Sequence, residues 1–154
     1  MKRKTLILGL GNLLLQDEGL GVRAIERLRQ NNSLPEEVEI LDGGTLGISL
    51  LPYFAGITDL LIVDAVDFDQ PPGSMVRLEG EAIPATLLPK LSMHQVGLQE
   101  LLAAGYISGE LPPRIVLLGL QPERVDWGTE LSPSIEGALD GLAQAVLEEL
   151  RAID

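Results

Sequence analysis

Apolar and polar residues follow two different periods along this chain. Five short apolar runs, TLILGL, VEILD, DLLIVD, SMVRL and RIVLLGL, are bounded by turn residues and predict strands. DLLIVD is apolar without interruption until its final acid, the pattern of a strand covered on both faces in a parallel sheet. Between the strands the period lengthens. Val22, Ile25 and Leu28 lie near helical spacing within 18–30, with Asn31 and Asn32 placed to end that helix. Thr45 can open a short helix that runs through Leu51. Ser92-Met93-His94-Gln95 carries the S-x-x-Q capping-box pattern, which predicts a helix start there and an end near Gly105. Ser132 as N-cap, with Pro133 in the first turn, opens a last long helix whose apolar face is Ile135, Leu139, Leu142, Val146 and Leu150.

Strands that alternate with helices predict an α/β fold, a three-layer sandwich around a mostly parallel, five-stranded twisted sheet in which one strand is free to run antiparallel. No repeat, low-complexity tract or long linker divides the sequence, so 1–154 reads as a single domain. A chain of 154 residues is long enough to bury roughly 68–70% of its unfolded surface without staples.

Composition narrows the chemistry. The absence of Cys removes disulfides, thiolate metal sites and Cys nucleophiles, and it fits a reducing compartment. A net charge of −12 opposes binding to nucleic acid or to an anionic membrane surface. No apolar run approaches the ~20 residues that span a bilayer, and the one at Leu6 is too short for a leader. The expectation is therefore a cytoplasmic monomer. Motifs for other chemistries fail in turn. GLGNLL has Leu14 at the third glycine position of a dinucleotide fingerprint, no phosphate loop with G-K-[ST] is present, and GISLL lacks the second glycine of a nucleophile elbow. A phospho-acceptor receiver module would need acids after strand one and a lysine after the last strand, where this chain has Gly9-Leu10-Gly11-Asn12 and Gly119-Leu120-Gln121.

Asp17 and Glu18 stand at the mouth of the first strand-to-helix turn, where a phosphate site would require the opposite sign. Ligands of parallel sheets sit outside the carboxyl ends of the strands. There the predicted elements place Glu18 after strand one, Asp42 at the end of strand two, Asp64 at the end of strand three and His94 in a helical first turn. Each has an ordinary structural reading. Asp17 suits an N-cap and Glu18 would support the same helix start through the macrodipole. Asp42 in LDGGT suits a turn, Asp67 and Asp69 compete with Asp64, and a single His in a capping turn is more often structural. The set outweighs its members: two carboxylates and an imidazole at one sheet edge, with Asp42 nearby. A helix N-terminus disfavours imidazolium, so His94 is expected to be neutral and able to ligate a metal. Both His94 and Asp64 are expected at a solvated edge, where substitution alters stability by only about 0.5 kcal/mol.

GLGNLLLQDEGLGVRAIERL, LDGGTLG, LLIVDAVD, PPGSM and SMHQVGL occur in the order and spacing of the hydrogenase maturation proteases, a family that this chain resembles over nearly its whole length. The resemblance implies an endopeptidase that removes the C-terminal extension of a nickel-iron hydrogenase large-subunit precursor after nickel insertion. It implies a metal site of Glu18, Asp64 and His94, with Asp42 close by and functionally important, so Asp42 and Asp64 are the candidate catalytic acids. One imidazole with two carboxylates suits nickel or zinc. The relevant ion is implied to be nickel presented by the precursor, with other divalent metals able to substitute. Three routes to cleavage stay open: the ion as Lewis acid, the ion activating water, or a carboxylate such as Asp42 as base. Two other functions share the residues: a noncatalytic nickel-sensing maturation chaperone, and a metal-dependent small-molecule α/β enzyme. The segment QPERVDWGTELSP belongs to none of the motifs and suits a variable, specificity-related loop.

Overall fold

All five apolar runs form strands in the computed structural model, which describes residues 2–30 and 34–153. They are β1 (Thr5–Leu10), β2 (Val38–Gly44), β3 (Asp59–Ala65), β4 (Met75–Glu79) and β5 (Arg114–Leu120), in the sheet order β2-β1-β3-β5-β4. The β1–β2, β1–β3 and β3–β5 pairs are parallel, and β4 runs antiparallel to β5. The short link from Ala65 to Met75 explains that reversal, because a parallel return needs a crossover of a dozen or more residues.

Helices cover both faces. On one side α1 (Leu20–Arg29) and α4 (Pro133–Ile153) pack Leu20, Ile25, Leu139 and Val146 against Ile7, Leu61, Val63 and Val116. On the other, α2 (Ala82–Leu87), α3 (Met93–Ser108) and a 3-10 helix over Gly47–Phe54 bring Ile83, Leu98 and Phe54 against Leu6, Leu8, Leu60 and Ile62. Alternate residues of β1 and β3 thus enter opposite cores, the period-2 rule acting on strands without a polar face. Among the described residues no helix is long and apolar enough to cross a membrane.

Several boundaries differ from expectation. The first helical turn is a 3-10 segment, Gln16–Gly19, and α1 follows from Leu20 and ends at Arg29, with the Gln30 N–H bonding back to the Arg27 and Leu28 carbonyls. Asn31 and Asn32 lie outside the described residues. The helix expected from Thr45 begins at Gly47 instead and stays 3-10, with Gly47 at φ 55 and Pro52 inside it. The α3 helix extends beyond Gly105 to a left-handed cap at Gly109.

Two close approaches set the geometry of the site. Gly11 has φ 131, and a Cβ there would lie 1.8 Å from the Glu18 carbonyl oxygen. Gly21 lets α1 rest on the strand ends, since its Cβ would meet Val63 O at 2.1 Å and Leu10 O at 2.5 Å. At the opposite end of the strands, Asp59 is fully buried and takes Arg3 Nη1 at 3.1 Å on both oxygens. On edge strand β4, Arg77 grips Glu149 of α4 through Nε at 3.0 Å and Nη2 at 2.8 Å, and Arg77 and Glu79 remain exposed.

Candidate functional site

Three of the four sequence-derived residues meet. Asp64 is the penultimate residue of β3, Glu18 sits in the 3-10 turn after β1, and His94 is in the first turn of α3. His94 Nδ1 lies 2.6 Å from Glu18 Oε1, and Nε2 lies 2.8 and 2.9 Å from the two Asp64 oxygens. All are buried: Asp64 is 0% exposed, His94 6% and Glu18 8%. The solvated edge expected for His94 and Asp64 is therefore corrected, because α3 closes over the end of β3.

The expected neutral imidazole is corrected too. Both ring nitrogens face carboxylates, so each carries a proton to donate. Burial pushes the imidazole down, but the Asp64 and Glu18 carboxylates more than reverse this and hold it up at about 9. The helix N-terminus is the weaker influence, worth roughly 0.3–1 kcal/mol.

The cap of α3 is built into the cluster. Ser92 Oγ accepts from Gln95 N at 3.3 Å, while Gln95 Oε1 accepts from Ser92 N at 3.2 Å, completing the predicted box. The same Gln95 donates through Nε2 to Asp64 Oδ2 at 3.2 Å and to the Ala65 carbonyl at 2.8 Å. Ser92 Oγ also lies 3.0 Å from His94 Nδ1. Gln95 was legible only as a capping residue; its reach to Asp64 depends on how α3 sits over β3. The competing acids are occupied elsewhere. Asp67 accepts from Gln121 Nε2 at 3.0 Å, which with other contacts holds its carboxyl below the usual range, and Asp69 pairs with Lys90.

Asp42 reaches the same edge of the sheet but not the cluster. It lies on β2, two strands from β3, and its Oδ1 accepts from Gly44 N at 2.9 Å in the turn that its Asp-Gly-Gly sequence suggests. Asp17 departs furthest from expectation. It caps no helix start of its own; fully buried, it accepts from Glu123 N at 2.9 Å, Arg124 N at 2.8 Å, Ser132 N at 2.7 Å and Ser132 Oγ at 2.7 Å. The adjacent acids thus diverge, one to a distant loop and one to His94. The Ser132 hydroxyl, expected to cap α4, donates to Asp17, while its carbonyl accepts from Ile135 and Glu136 N–H.

A cavity of about 170 Å³ opens beside the cluster, lined by Glu18, Asp67, Lys90, Ser92, His94 and Val125 among others. The donor types fit a borderline divalent ion. As they stand, Glu18 and Asp64 address opposite nitrogens of one ring, and among the described residues no three His, Cys, Asp or Glu groups are disposed around a single point. To take a cation with all three, the imidazolium must release one proton and the two carboxylates must turn toward the same ring nitrogen.

The cluster is thus an acid–imidazole–acid chain at the carboxyl edge of the mostly parallel sheet of an α/β protein. A family model described as hydrogenase maturation protease matches residues 22–149. The chain is 42% identical over 149 residues to the hydrogenase 2 maturation protease of Escherichia coli (strain K12), covering 96% of this chain and 91% of that protein. It is 41% identical over 151 residues to the hydrogenase expression/formation protein HupD of Rhodobacter capsulatus, covering 97% and 72%. The solved hydrogenase maturating endopeptidase HybD from E. coli matches with a TM-score of 0.91 at 41% identity, over 97% of this chain and 93% of that one. The [NiFe] hydrogenase maturation protease HybD from Thermococcus kodakarensis matches at 0.79 and 28% identity, over 96% and 98%. The chain belongs to the hydrogenase maturation protease family and is a peptidase.

Proposed function

We infer that this peptidase removes the C-terminal extension of a nickel-iron hydrogenase large-subunit precursor, and that it recognises nickel already inserted in that substrate through Glu18, Asp64 and His94. The observation that supports this reading is the buried chain of Glu18, His94 and Asp64 beside a cavity at the carboxyl end of the strands. Two buried carboxylates compensated only by an imidazolium form a site in which a doubly charged cation is a stronger partner than protons. Binding would therefore exchange one His94 proton for the precursor's ion, the other ring N–H remaining as a donor. A precursor without nickel offers nothing to make that exchange, which gives the enzyme a checkpoint on cofactor insertion.

Hydrolysis then needs a base for the attacking water. Asp64 is committed to His94, Gln95 and the Ala65 N–H. Asp42 is exposed at the end of β2 on the same sheet edge, and it is the carboxylate assigned to take a proton from water as the water attacks the scissile carbonyl and to return it to the leaving amine as the C–N bond breaks. Nickel-loaded and nickel-free precursor, each mixed with the protein and followed by mass spectrometry, test the reading. The loaded form is expected to lose its C-terminal peptide and the nickel-free form to stay intact. Equal cleavage of both forms overturns the gating, and intact precursor in both overturns the assigned substrate. His94→Ala and Asp64→Asn are expected to leave the loaded precursor full length.

A further inference from the structure

The loop between β5 and α4 is held more firmly than its sequence suggests. Asp17 fastens it at Glu123, Arg124 and Ser132, and the backbone adds Asp17 N to Arg124 O at 3.0 Å, Gln16 N to Gly128 O at 2.9 Å and Gly128 N to Leu14 O at 2.9 Å. Arg23 Nη2 reaches the Thr129 carbonyl at 3.1 Å. These ties leave the apolar side chains of the loop outside. Trp127 is 80% exposed and Val125 50%, and the Leu14 side chain, on the segment bonded to Gly128, is 56% exposed. Val125 also lines the cavity that holds His94 and Glu18. A large indole kept in water by a pinned backbone, next to the pinned Gly128 and two residues along the chain from the cavity-lining Val125, has the character of a preorganised contact for a polypeptide.

We propose that loop 123–130 docks the precursor polypeptide beside the cleavage cavity through Trp127 and Val125, and that Asp17 is the positioning residue that sets the loop. The partner surface is an apolar contact flanked by cationic groups. The loop carries exposed Asp126 next to Trp127 and exposed Glu130 further on, while its one cation, Arg124, pairs with Glu123 at 3.8 Å, so on a chain of net charge −12 Lys or Arg on the precursor is favoured around the apolar contact. The proposal rests on the reading that the substrate is a hydrogenase large-subunit precursor. It adds a recognition surface that works without nickel, because none of these residues belongs to the Glu18–His94–Asp64 cluster.

Trp127 is the only tryptophan, which gives the test a direct probe. Protein labelled with 5-fluorotryptophan is titrated with unlabelled precursor, nickel-loaded and nickel-free, and followed by fluorine NMR. Both forms are expected to shift or broaden the resonance. In the cleavage assay Trp127→Ala is expected to raise KM about tenfold with kcat unchanged, the effect of losing a central aromatic contact. Asp126→Asn with Glu130→Gln is expected to weaken binding and flatten its salt dependence. Asp17→Asn is expected to broaden the Trp127 signal in the free protein and raise KM; should it fail to fold, Ser132→Ala removes a single donor to Asp17 and is expected to give a smaller KM increase in the same direction. A resonance unmoved by saturating precursor, or Trp127→Ala with wild-type kcat/KM, overturns the proposal. A shifted resonance with neither precursor cut sinks the assigned reaction and supports the docking surface, whereas normal cleavage with Trp127 silent does the reverse.

Discussion

His94 is balanced by charge on both of its ring edges, which makes it a structural cation. Removing it leaves Glu18 and Asp64 buried without a counter-charge, and breaking such a pair from one side costs roughly 3–5 kcal/mol. His94→Gln is therefore expected to be destabilised by that order in urea unfolding of the metal-free protein, not to behave as a neutral surface change. The pH profile has a definite sign. The folded imidazole titrates at about 9 against an ordinary value of 6.5, so its stabilising contribution is fully present below 6.5 and is lost as pH rises through about 9. Unfolding free energy measured across that window should fall in the wild type and lose this component in His94→Gln; a wild-type profile flat through the window would contradict the charged imidazole. The sequence located the three residues because each ends or begins an element whose period was readable. Their protonation was not readable, since it depends on two carboxylates far away in the chain. Asp17 was misread for a related reason: an acid before a helix has an obvious local role, and its true partners lie more than a hundred positions onward.

The elements themselves were legible where one physical signal dominated. Uninterrupted apolar character marked β1, β3 and β5, all buried on both faces, and the S-x-x-Q pattern marked the start of α3. Where signals conflicted, elements were missed or misdrawn. Pro84 sits inside the short α2 and Pro89 in the 3-10 turn over Leu88–Lys90 that follows, so the sequence there carries breakers in place of a period. Two substitutions test the elements that were found. Ser92→Ala removes the N-cap acceptor and is expected to cost about 1 kcal/mol, seen as a lowered urea midpoint. It also takes away a neighbour of His94 Nδ1, so its effect on cleavage should exceed its effect on stability, and an unchanged cleavage rate would show that the cap serves the helix alone. Leu61→Ala, at a fully buried position in β3, is expected to cost about 2–5 kcal/mol with the Glu18–His94–Asp64 cluster left intact. A loss under 1 kcal/mol by the same measurement would mean that the α1–α4 side of the sheet is far more loosely packed than its burial implies.

Across the whole molecule the two ends of the strands are given different work, with the acid–imidazole chain at the carboxyl end and the Arg3, Arg77 and Arg114 ion pairs at the other. The antiparallel β4 stands where these arrangements leave a flank uncovered. Among the described residues it pairs with β5 on one side only, so its other side is a sheet edge, the kind of row onto which a second chain can add a strand. Met75 is exposed there, and Val76 and Leu78 are the apolar residues next to it. Arg77 and Glu79 interrupt that row with charge, and Arg77 is held in place by Glu149. Replacing both with Val would leave Met-Val-Val-Leu-Val, an apolar strand of high β-propensity without charge. Light scattering of that double variant during concentration is expected to show aggregates where the wild type stays dispersed, and a clear solution at equal concentration would assign the protection to another feature. Aggregation of that variant would give the Arg77–Glu149 pair, described above as a clamp between sheet and helix, a bearing on shelf life as well, through the charge it holds on an open flank of the sheet.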